Sequence, residues 1–256
     1  MSAGPRPKTP GEIDAMRVSG RLAAQVRDMV ARAVQPGVTT RELDELARAE
    51  FVRLGCRPAF LGYRGYPASV CVSVNDEVVH GIPGARVIQP GDLVSLDVGV
   101  EQDGWFGDTA TTVLVGAPSA EAMRLVDVAG QALEAAIATA AEGRWLSDVS
   151  QAVQRTVESN GFSVVRDFVG HGIGRRMHEE PQVPNFVDRR MSRIRLAAGM
   201  TLAIEPMVNA GGAAVRVEPD GWTVRTADGS LSAHVEHTVV VGRDRGEILT
   251  RTDEVA

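Results

Sequence analysis

Four acidic residues lie inside, or at the ends of, short runs of β-branched and apolar residues. Acidic side chains are depleted in strands and are usually solvated, so this pattern strongly constrains the fold. Charge that such strands carry into the interior must be compensated, because burying an unpaired charge is costly. The four residues are Asp97, Asp108, Glu205 and Glu236.

The spacing of the first two carboxylates predicts that they share one face of a β-hairpin. Alternation along the first strand places Asp97 and Gly99 on the same face. Asp103-Gly104 suits a tight turn between the two strands. A turn centred there pairs Asp97 with Ala110. It also pairs Gly99 with Asp108, so that the two carboxylates become diagonal neighbours about 7 Å apart at their Cβ atoms.

Two carboxylates on one half-buried face repel each other, which favours a cation between them over a structural pair with one protonated member. Glu205, which precedes Pro206, and Glu236 repeat the arrangement. Four carboxylates carry too much charge for one divalent ion with other ligands. Two ions about 3.5–4 Å apart with shared bridging carboxylates balance that charge. An oxygen-rich ligand set with one imidazole suits manganese, iron(II) or cobalt at least as well as zinc.

Three of the five histidines lie in segments typical of functional loops. His171 stands among three glycines, which indicates close backbone approach rather than a packed helix, and we interpret it as a metal ligand. His178 and His80 lie in turn-like segments that have no further ligand spacing. For these two residues we favour proton transfer or substrate contact over metal binding.

The other two histidines flank Glu236 on its predicted strand. His237 points to the face opposite Glu236, and we expect it to be a hydrogen-bonded structural residue. His234 shares the face of Glu236, and we consider that it contacts a metal ligand without binding the metal itself.

The organisation of the chain predicts one domain made of two similar halves. Gly91–Asp97 resembles Gly199–Glu205, since each has a glycine, five strand residues and a carboxylate. We expect a single domain over residues 1–256, with a flexible tail at 1–8 and pseudo-twofold halves near 9–116 and 117–245. Capping signals predict helices from Thr9 to about Ala33, from Thr39 to before Gly55, from Ser119 to about Ala141, and from Ser147 to Asn160. The clearest predicted strands are Ser69–Val74, Leu93–Val100, Thr109–Val115, Met200–Val208 and His234–Val241.

Composition narrows the class of protein. A net charge of −6 offers no general basic surface, so DNA is not an expected ligand. Cys56 and Cys71 do not suggest a disulfide framework, and a reducing compartment fits them. The N-terminus has no apolar signal core, and the chain has no apolar run long enough to span a membrane. We therefore expect a cytoplasmic protein that does not bind membranes.

Together, these motifs resemble the type I methionine aminopeptidases, in their short bacterial form. The resemblance runs from about Thr9 to Thr250, and the order and spacing of the blocks make it specific. The blocks are Ser73–Pro83, Asp97, Gly107–Thr109, Gly170–Gly174, His178–Pro181, Ile204–Met207 and Glu236–Thr238. The resemblance implies a mixed α/β (α+β) pita-bread fold, with a mainly antiparallel curved sheet covered by helices.

The resemblance also implies two divalent ions of cobalt, manganese, iron(II) or zinc. Asp97 would chelate one ion, Asp108 and Glu236 would bridge both, and His171 and Glu205 would complete the other. Glu205 would also act as the general base. His80 would contact the substrate amide and help to protonate the leaving amine, and His178 would hold the scissile carbonyl oxygen. The implied reaction removes the initiator methionine from nascent polypeptides when the second residue is small.

An apolar pocket around the methionine side chain is implied as well. Its expected residues are Phe60, Tyr63, Tyr66, Cys71, Met177 and Trp222. Position 177 is often Phe in the family, and position 60 is often a small residue, so the shape of this pocket is left open. Plain core packing is the alternative for each residue. Cys71 is expected to be a pocket wall rather than a nucleophile.

Two other functions and two further sites remain open from the sequence. Proline-specific peptidases share the fold and ligands but usually carry a large extra N-terminal domain. A catalytically dead binding protein would be signalled by a lost ligand, and all five ligand positions are occupied here. A basic cluster at Arg189-Arg190, Arg193 and Arg195 is usually a solvated face, with ribosomal RNA contact as a hypothesis. Loops at Asn75 and Ser232 leave open a monovalent cation site.

Overall fold

The structure is a computed structural model that describes residues 5–188 and 193–252. Its helices are α1 (Pro10–Ala33), α2 (Thr40–Leu54), α3 (Ala120–Thr139) and α4 (Leu146–Ser159). The expected capping boxes are present at Thr9 and Thr39, and Ser119 caps α3.

The predicted start of α4 at Ser147 is wrong. The helix begins one residue earlier because the Asp148 carboxylate accepts the backbone N–H of Trp145.

Fifteen short strands accompany the helices in the described part of the chain. They are β1 (Arg57–Pro58), β2 (Cys71–Val74), β3 (Glu77–Val79), β4 (Leu93–Gln102), β5 (Trp105–Leu114), β6 (Ser163–Val164), β7 (Gly170–Gly172), β8 (Glu179–Val183), β9 (Thr201–Ile204), β10 (Met207–Asn209), β11 (Val215–Val217), β12 (Val224–Thr226), β13 (Ser232–His234), β14 (Glu236–Val241) and β15 (Gly246–Ile248). A main sheet has the order β1-β4-β5-β14-β9-β7-β8, to which β2 adds on β4 and β15 on β14. Two three-stranded sheets, β13-β10-β6 and β11-β12-β3, complete the framework.

The β4–β5 hairpin confirms the predicted register. Asp103 and Gly104 have φ angles of 52° and 78°, which suit a two-residue turn with both central residues left-handed. Asp97 pairs with Ala110. Gly99 pairs with Asp108, so the tight turn sets the positions of both acidic side chains.

Two strands that were predicted to be continuous are broken. The run from Met200 to Val208 divides at Glu205-Pro206, where proline supplies no backbone N–H for a ladder. The run from His234 to Val241 divides at Val235. At Glu205-Pro206 the chain leaves the main sheet for the sheet β13-β10-β6, and at Val235 it returns from that sheet to the main one, since β9 pairs with β14 whereas β10 pairs with β13.

Apolar packing of the helices leaves one face of the main sheet for the acidic residues. Helices α1 and α2 share a core with Leu96 and Val98 of β4, which alternate with Asp97. Helices α3 and α4 pack with β9 and β14 in a second core. Close approach of α1 needs glycine at 107, because a Cβ there would lie 2.7 Å from the Gly20 backbone. Among the described residues, no helix combines the length and apolar character needed to cross a membrane.

Candidate metal centre and substrate cavity

Strand register brings predicted metal ligands together in one row across the main sheet, the acidic row. Asp97 in β4 pairs with Cys71 on one side and with Ala110 on the other. Ala110 pairs in turn with Glu236 at the start of β14. Because paired residues project to the same face, Asp97 and Glu236 flank the small Ala110 side chain.

Of the other three ligands, Asp108 lies opposite Gly99 on the same face of the hairpin, and the remaining two reach the row from the far half of the sheet. Glu205 directly follows β9, in which Ala203 pairs with His171 of β7. His171 Nε2 lies 3.6 Å from Glu205 Oε1 and 3.8 Å from Asp108 Oδ2. Ligand atoms of Asp108, His171 and Glu236 all lie within 4.8 Å of one another, which is a spacing compatible with one shared ion.

The protonation of His171 is set by its own neighbour. Its Nδ1 lies 2.9 Å from the carbonyl oxygen of Gly172. Since a carbonyl only accepts hydrogen bonds, Nδ1 carries the proton and Nε2 presents its lone pair to the carboxylates. Burial lowers the pKa of His171 to about 3, which keeps the ring neutral, as a metal ligand must be.

Unpartnered carboxylate oxygens show that this residue set fits a cation. Asp97 Oδ1, Asp108 Oδ1 and Glu236 Oε1 are buried without a hydrogen-bond partner. Burial raises the pKa of Asp108 well above its usual value, and the charges of Asp97 and Glu205 raise it further. Burial likewise raises the pKa of Glu205 and of Glu236. Divalent cations would satisfy these oxygens and offset the repulsion between the carboxylates.

A cavity of about 130 Å³ opens onto the acidic row. An apolar cavity of roughly 150 Å³ holds a ligand the size of benzene, so this space suits a single side chain rather than a large cofactor. All five predicted metal ligands line it, together with His80 and His178. So do five of the six residues expected in the apolar pocket: Phe60, Tyr63, Tyr66, Cys71 and Trp222.

Met177, the sixth residue expected in the apolar pocket, does not line the cavity directly. Met177 is 2% exposed and packs in a core cluster with Met16, Trp105 and Ile173. Phe60 therefore lines the cavity on this side and packs against the core cluster that contains Met177.

His178 and His80 both face the cavity from loops. The His178 ring stacks on Tyr63 with centroids 5.4 Å apart, and its Nδ1 lies 2.9 Å from the Tyr63 hydroxyl. Burial and the charge of Arg64 lower the pKa of His178. Burial, with a smaller contribution from His178, lowers the pKa of His80 to about 4. Both rings are therefore expected to be neutral near pH 7.

The histidines that flank Glu236 differ in their surroundings. His237 has its Nδ1 2.8 Å from the Thr250 hydroxyl, away from the acidic row, as a structural residue would. His234 is buried, and its unpartnered Nε2 lies 3.8 Å from Glu205 Oε2. It stands beside Glu205 although the strand is broken between His234 and Glu236.

Arg64 is a cavity residue that the sequence reasoning missed. It lies in a short turn, at a φ of 50°, with its guanidinium 5.4 Å from the centroid of the Tyr63 ring. Two glycines, Gly62 and Gly65, flank it and have positive φ angles. Such a glycine-rich turn between two tyrosines was the available signal that this segment approaches a site.

Comparison with known proteins agrees with this geometry. Residues 14–243 match the family model "Metallopeptidase family M24". The chain is 48% identical over 243 residues to a methionine aminopeptidase of Clostridium perfringens. The aligned region covers 95% of this chain and 97% of that protein. It is also 48% identical to the methionine aminopeptidase of Escherichia coli K12, over 95% of this chain and 92% of that protein.

Solved structures of methionine aminopeptidases and of other proteins resemble this chain in fold. A methionine aminopeptidase from Thermotoga maritima superimposes with a TM-score of 0.93 at 46% identity, covering 96% of this chain and 99% of that one. An Xaa-Pro dipeptidase from Bacillus anthracis matches with a TM-score of 0.78 at 20% identity, which shows a shared fold alone. The predicted pita-bread fold is confirmed by these likenesses. The family match and the buried acidic cluster together imply the use of divalent metal. This chain therefore belongs to metallopeptidase family M24.

Proposed function

We propose that the chain is a metal-dependent aminopeptidase that removes the N-terminal methionine from nascent polypeptides whose second residue is small. The observation that carries this proposal is the contact between the acidic row and a cavity sized for one apolar side chain. Relatives named methionine aminopeptidase, at 48% identity over nearly the whole chain, support the same activity.

The proposed cofactors are two divalent ions of cobalt, manganese, iron(II) or zinc. Asp97 would hold one ion and His171 with Glu205 the other, while Asp108 and Glu236 would hold both. When bound, such ions lower the pKa of a water molecule towards neutrality and so supply a nucleophile near pH 7. The unpartnered oxygens of Asp97, Asp108 and Glu236 support this assignment.

Glu205 is proposed to take the proton from the attacking water. Its two oxygens lie 3.6 Å from His171 Nε2 and 3.8 Å from His234 Nε2, at the edge of the cavity. Burial raises the pKa of this carboxyl in the metal-free protein, and bound cations would lower it again towards the ionised form that can accept a proton.

His178 is proposed to hold the scissile carbonyl oxygen as negative charge develops on it. The proposal requires a proton on Nε2. If the Tyr63 hydroxyl donates its hydrogen bond to Nδ1, the neutral ring keeps that proton on Nε2 and directs it into the cavity. Tyr63 would therefore orient His178 and select its tautomer.

His80 is proposed to contact the substrate amide and to help protonate the leaving amine. Its ring lies edge-on to Phe168 and Trp222, with centroids 5.6 and 6.1 Å away. Its backbone φ of 60° is uncommon for a residue with a side chain, and it suits a residue that is held for a function.

The methionine side chain is proposed to occupy the aromatic part of the cavity. Phe60, Tyr63, Tyr66, Cys71 and Trp222 form its wall. The thiol of Cys71 is buried, and burial raises its pKa well above the usual value, which supports an apolar wall rather than a nucleophile.

The decisive experiment compares hydrolysis of Met-Ala-Ser with that of the dipeptides Ala-Pro and Met-Pro. The protein is stripped of metal and then titrated separately with manganese, iron(II), cobalt and zinc. We expect metal-dependent release of free methionine from Met-Ala-Ser and little cleavage of the dipeptides. Cleavage before proline would instead assign a proline peptidase, and no cleavage with any metal would favour a binding protein.

The proposed partners are the N-termini of nascent chains, and the proposed location is the cytoplasm, where these chains emerge.

Ribosome contact through the basic cluster is a further proposal. Arg189-Arg190 lie outside the described residues, whereas Arg193 and Arg195 have their guanidinium groups 5.1 and 5.8 Å from the centroid of the Trp145 ring. Charge reversal at Arg193 and Arg195 should weaken ribosome binding in co-sedimentation and leave peptide turnover unchanged. Unaltered co-sedimentation would count against the contact.

A further inference from the structure

The segment that precedes α1 is bound to the turn at residues 174–178, which carries His178. Lys8 Nζ lies 2.8 Å from Glu179 Oε2, with side chains that are only 7% and 18% exposed. The Lys8 backbone N–H also donates to the Gly199 carbonyl at 2.7 Å. Lys8 is thus held at both its main chain and its side chain, although the sequence placed it in a tail.

The carboxylate of Glu179 links this contact to the turn itself. Glu179 Oε1 accepts the backbone N–H groups of Arg175 at 2.8 Å and Arg176 at 3.1 Å. Gly174 lies directly against the pair, because a Cβ there would be 2.6 Å from Lys8 Cε and 2.8 Å from Glu179 Oε1. The last glycine of the run around His171 therefore makes room for the Lys8–Glu179 ion pair.

His178 immediately precedes Glu179 and is sensitive to the position of this turn. Its ring stacks on Tyr63 at an interplanar angle of 16° and lies 4.1 Å from the His171 ring, between centroids. A shift of the turn would change the distance from His178 to both rings. Glu179 has one oxygen on the turn backbone and one on Lys8, so the ion pair opposes such a shift.

We propose that Lys8 is a positioning residue that acts through Glu179 to hold His178 in its place in the cavity. The proposal rests on the proposed function, in which His178 holds the scissile carbonyl oxygen. Lys8 itself does not line the cavity and is not assigned a contact with the substrate.

The ionisation of Glu179 is consistent with a lasting ion pair. Burial disfavours the charged carboxylate, but the hydrogen bond and charge of Lys8 and the two backbone N–H groups outweigh this effect. The pKa of Glu179 is therefore held below its usual value. The Lys8 side chain is nearly buried, so its ion pair with Glu179 is screened less by solvent than a surface pair is.

The first test compares Lys8→Met with the matched control Arg6→Met in the metal-loaded enzyme. Arg6 lies in the same segment, but it forms an ion pair with Glu12 at 2.8 Å and is 60% exposed. For Lys8→Met we expect kcat for Met-Ala-Ser to fall by about 10- to 100-fold, since small misplacements of a catalytic group cost this much. KM should change little, because the lost interaction develops in the transition state. Arg6→Met should keep both constants, and bound metal measured by elemental analysis should be unchanged in both variants.

A double-mutant cycle with His178→Ala separates positioning from a general loss of structure. If Lys8 acts through His178, adding Lys8→Met to His178→Ala should cause no further loss of kcat. A loss that multiplies with that of His178→Ala would overturn the proposal, as would wild-type kinetics in Lys8→Met.

Glu179→Gln provides a second variant if Lys8→Met folds poorly. It keeps an acceptor for the Arg175 and Arg176 N–H groups but removes the charge that Lys8 pairs with. We expect the same loss of kcat as in Lys8→Met and no additional loss in the double variant. Normal kcat in Glu179→Gln would overturn the proposal. Failure of the wild-type enzyme to release methionine would overturn the proposed function instead.

Discussion

Asp97 and Glu236 are connected by a single residue, Ala110, which pairs with Asp97 on one side and with Glu236 on the other. The two carboxylates therefore face each other across a methyl group in the middle of the sheet. A small side chain at this point leaves the space that ions would need.

Replacement of Ala110 by leucine should displace metal from the centre. The longer side chain would fill the gap between Asp97 and Glu236, so we expect affinity for manganese or cobalt to fall by at least about tenfold. Isothermal titration calorimetry of the metal-stripped protein measures this directly. Thr111→Val is the matched control, since Thr111 pairs with Leu96 and projects to the opposite face. Equal affinity in Ala110→Leu and wild type would contradict the prediction.

Removal of one buried charge should have opposite effects with and without metal. The folded pKa of Asp108 is raised by burial and by its acidic neighbours, so its ionised form destabilises the metal-free fold at neutral pH. Asp108→Asn should therefore raise the melting temperature of metal-free protein, by about 2–4 °C for each kcal/mol gained.

The same variant should lose the stabilisation that metal confers on the wild type, because a ligand is missing. Differential scanning calorimetry with and without manganese tests both effects. Asp127→Asn on the exposed side of α3 is the control and should change neither melting temperature. A lower melting temperature for metal-free Asp108→Asn would contradict the repulsion between the carboxylates.

Gly99 should control the shape of the methionine pocket. A Cβ at this position would lie 2.6 Å from Phe60 Cε1 and 2.9 Å from Met177 Cε. Gly99→Ala should push the Phe60 ring into the cavity and raise KM for Met-Ala-Ser. A displacement that costs about 1.4 kcal/mol would raise KM about tenfold.

Steady-state kinetics with Met-Ala-Ser checks this result, and Gly99→Ala/Phe60→Leu should recover much of the loss. Gly130→Ala in α3 is the control, because nothing lies within 4 Å of its added Cβ. Gly130→Ala should leave KM unchanged and stabilise the helix by up to about 1 kcal/mol. An unchanged KM in Gly99→Ala would show that Phe60 does not limit the pocket.

The capping box of α1 should make stability depend on pH in the acid range. Hydrogen bonds from Arg6 and from the Thr9 backbone lower the pKa of Glu12 from 4.5 to about 2. Since the folded pKa is the lower one, the contribution of Glu12 is fully present above pH 4.5 and is lost as the pH falls through about 2. Thermal melts of metal-free wild type and Glu12→Gln should differ most near neutral pH and converge on acidification. A difference that is constant with pH would argue against this linkage.

Local chemistry was sufficient to predict the starts of α1, α2 and α3 and the first part of the site. Thr9 and Thr39 open capping boxes whose partners lie within three residues, and Asp103-Gly104 forms a two-residue turn. That turn alone sets which face Asp97 and Asp108 share. The division into two pseudo-symmetric halves stays a prediction.

Breaks in β-strands could not be read from alternation. The runs through Pro206 and Val235 looked continuous, but the chain changes sheets at both points. Which sheet a strand joins depends on partners that are distant in sequence, such as β10 with β13. Alternation along one strand therefore suggested a supporting role for His234, but its contact with Glu205 depends on how the sheets meet.

The sequence by itself determined the chemistry of this protein, because the carboxylates, the glycine-flanked histidine and the tight turn are local features with local causes. Tertiary structure decided how those groups meet. It placed Met177 behind Phe60, brought Arg64 to the cavity and joined Lys8 to Glu179 across 171 residues. The physical reason is that packing and ion pairing depend on which surfaces adjoin once the strands have paired, and no spacing along the chain records that.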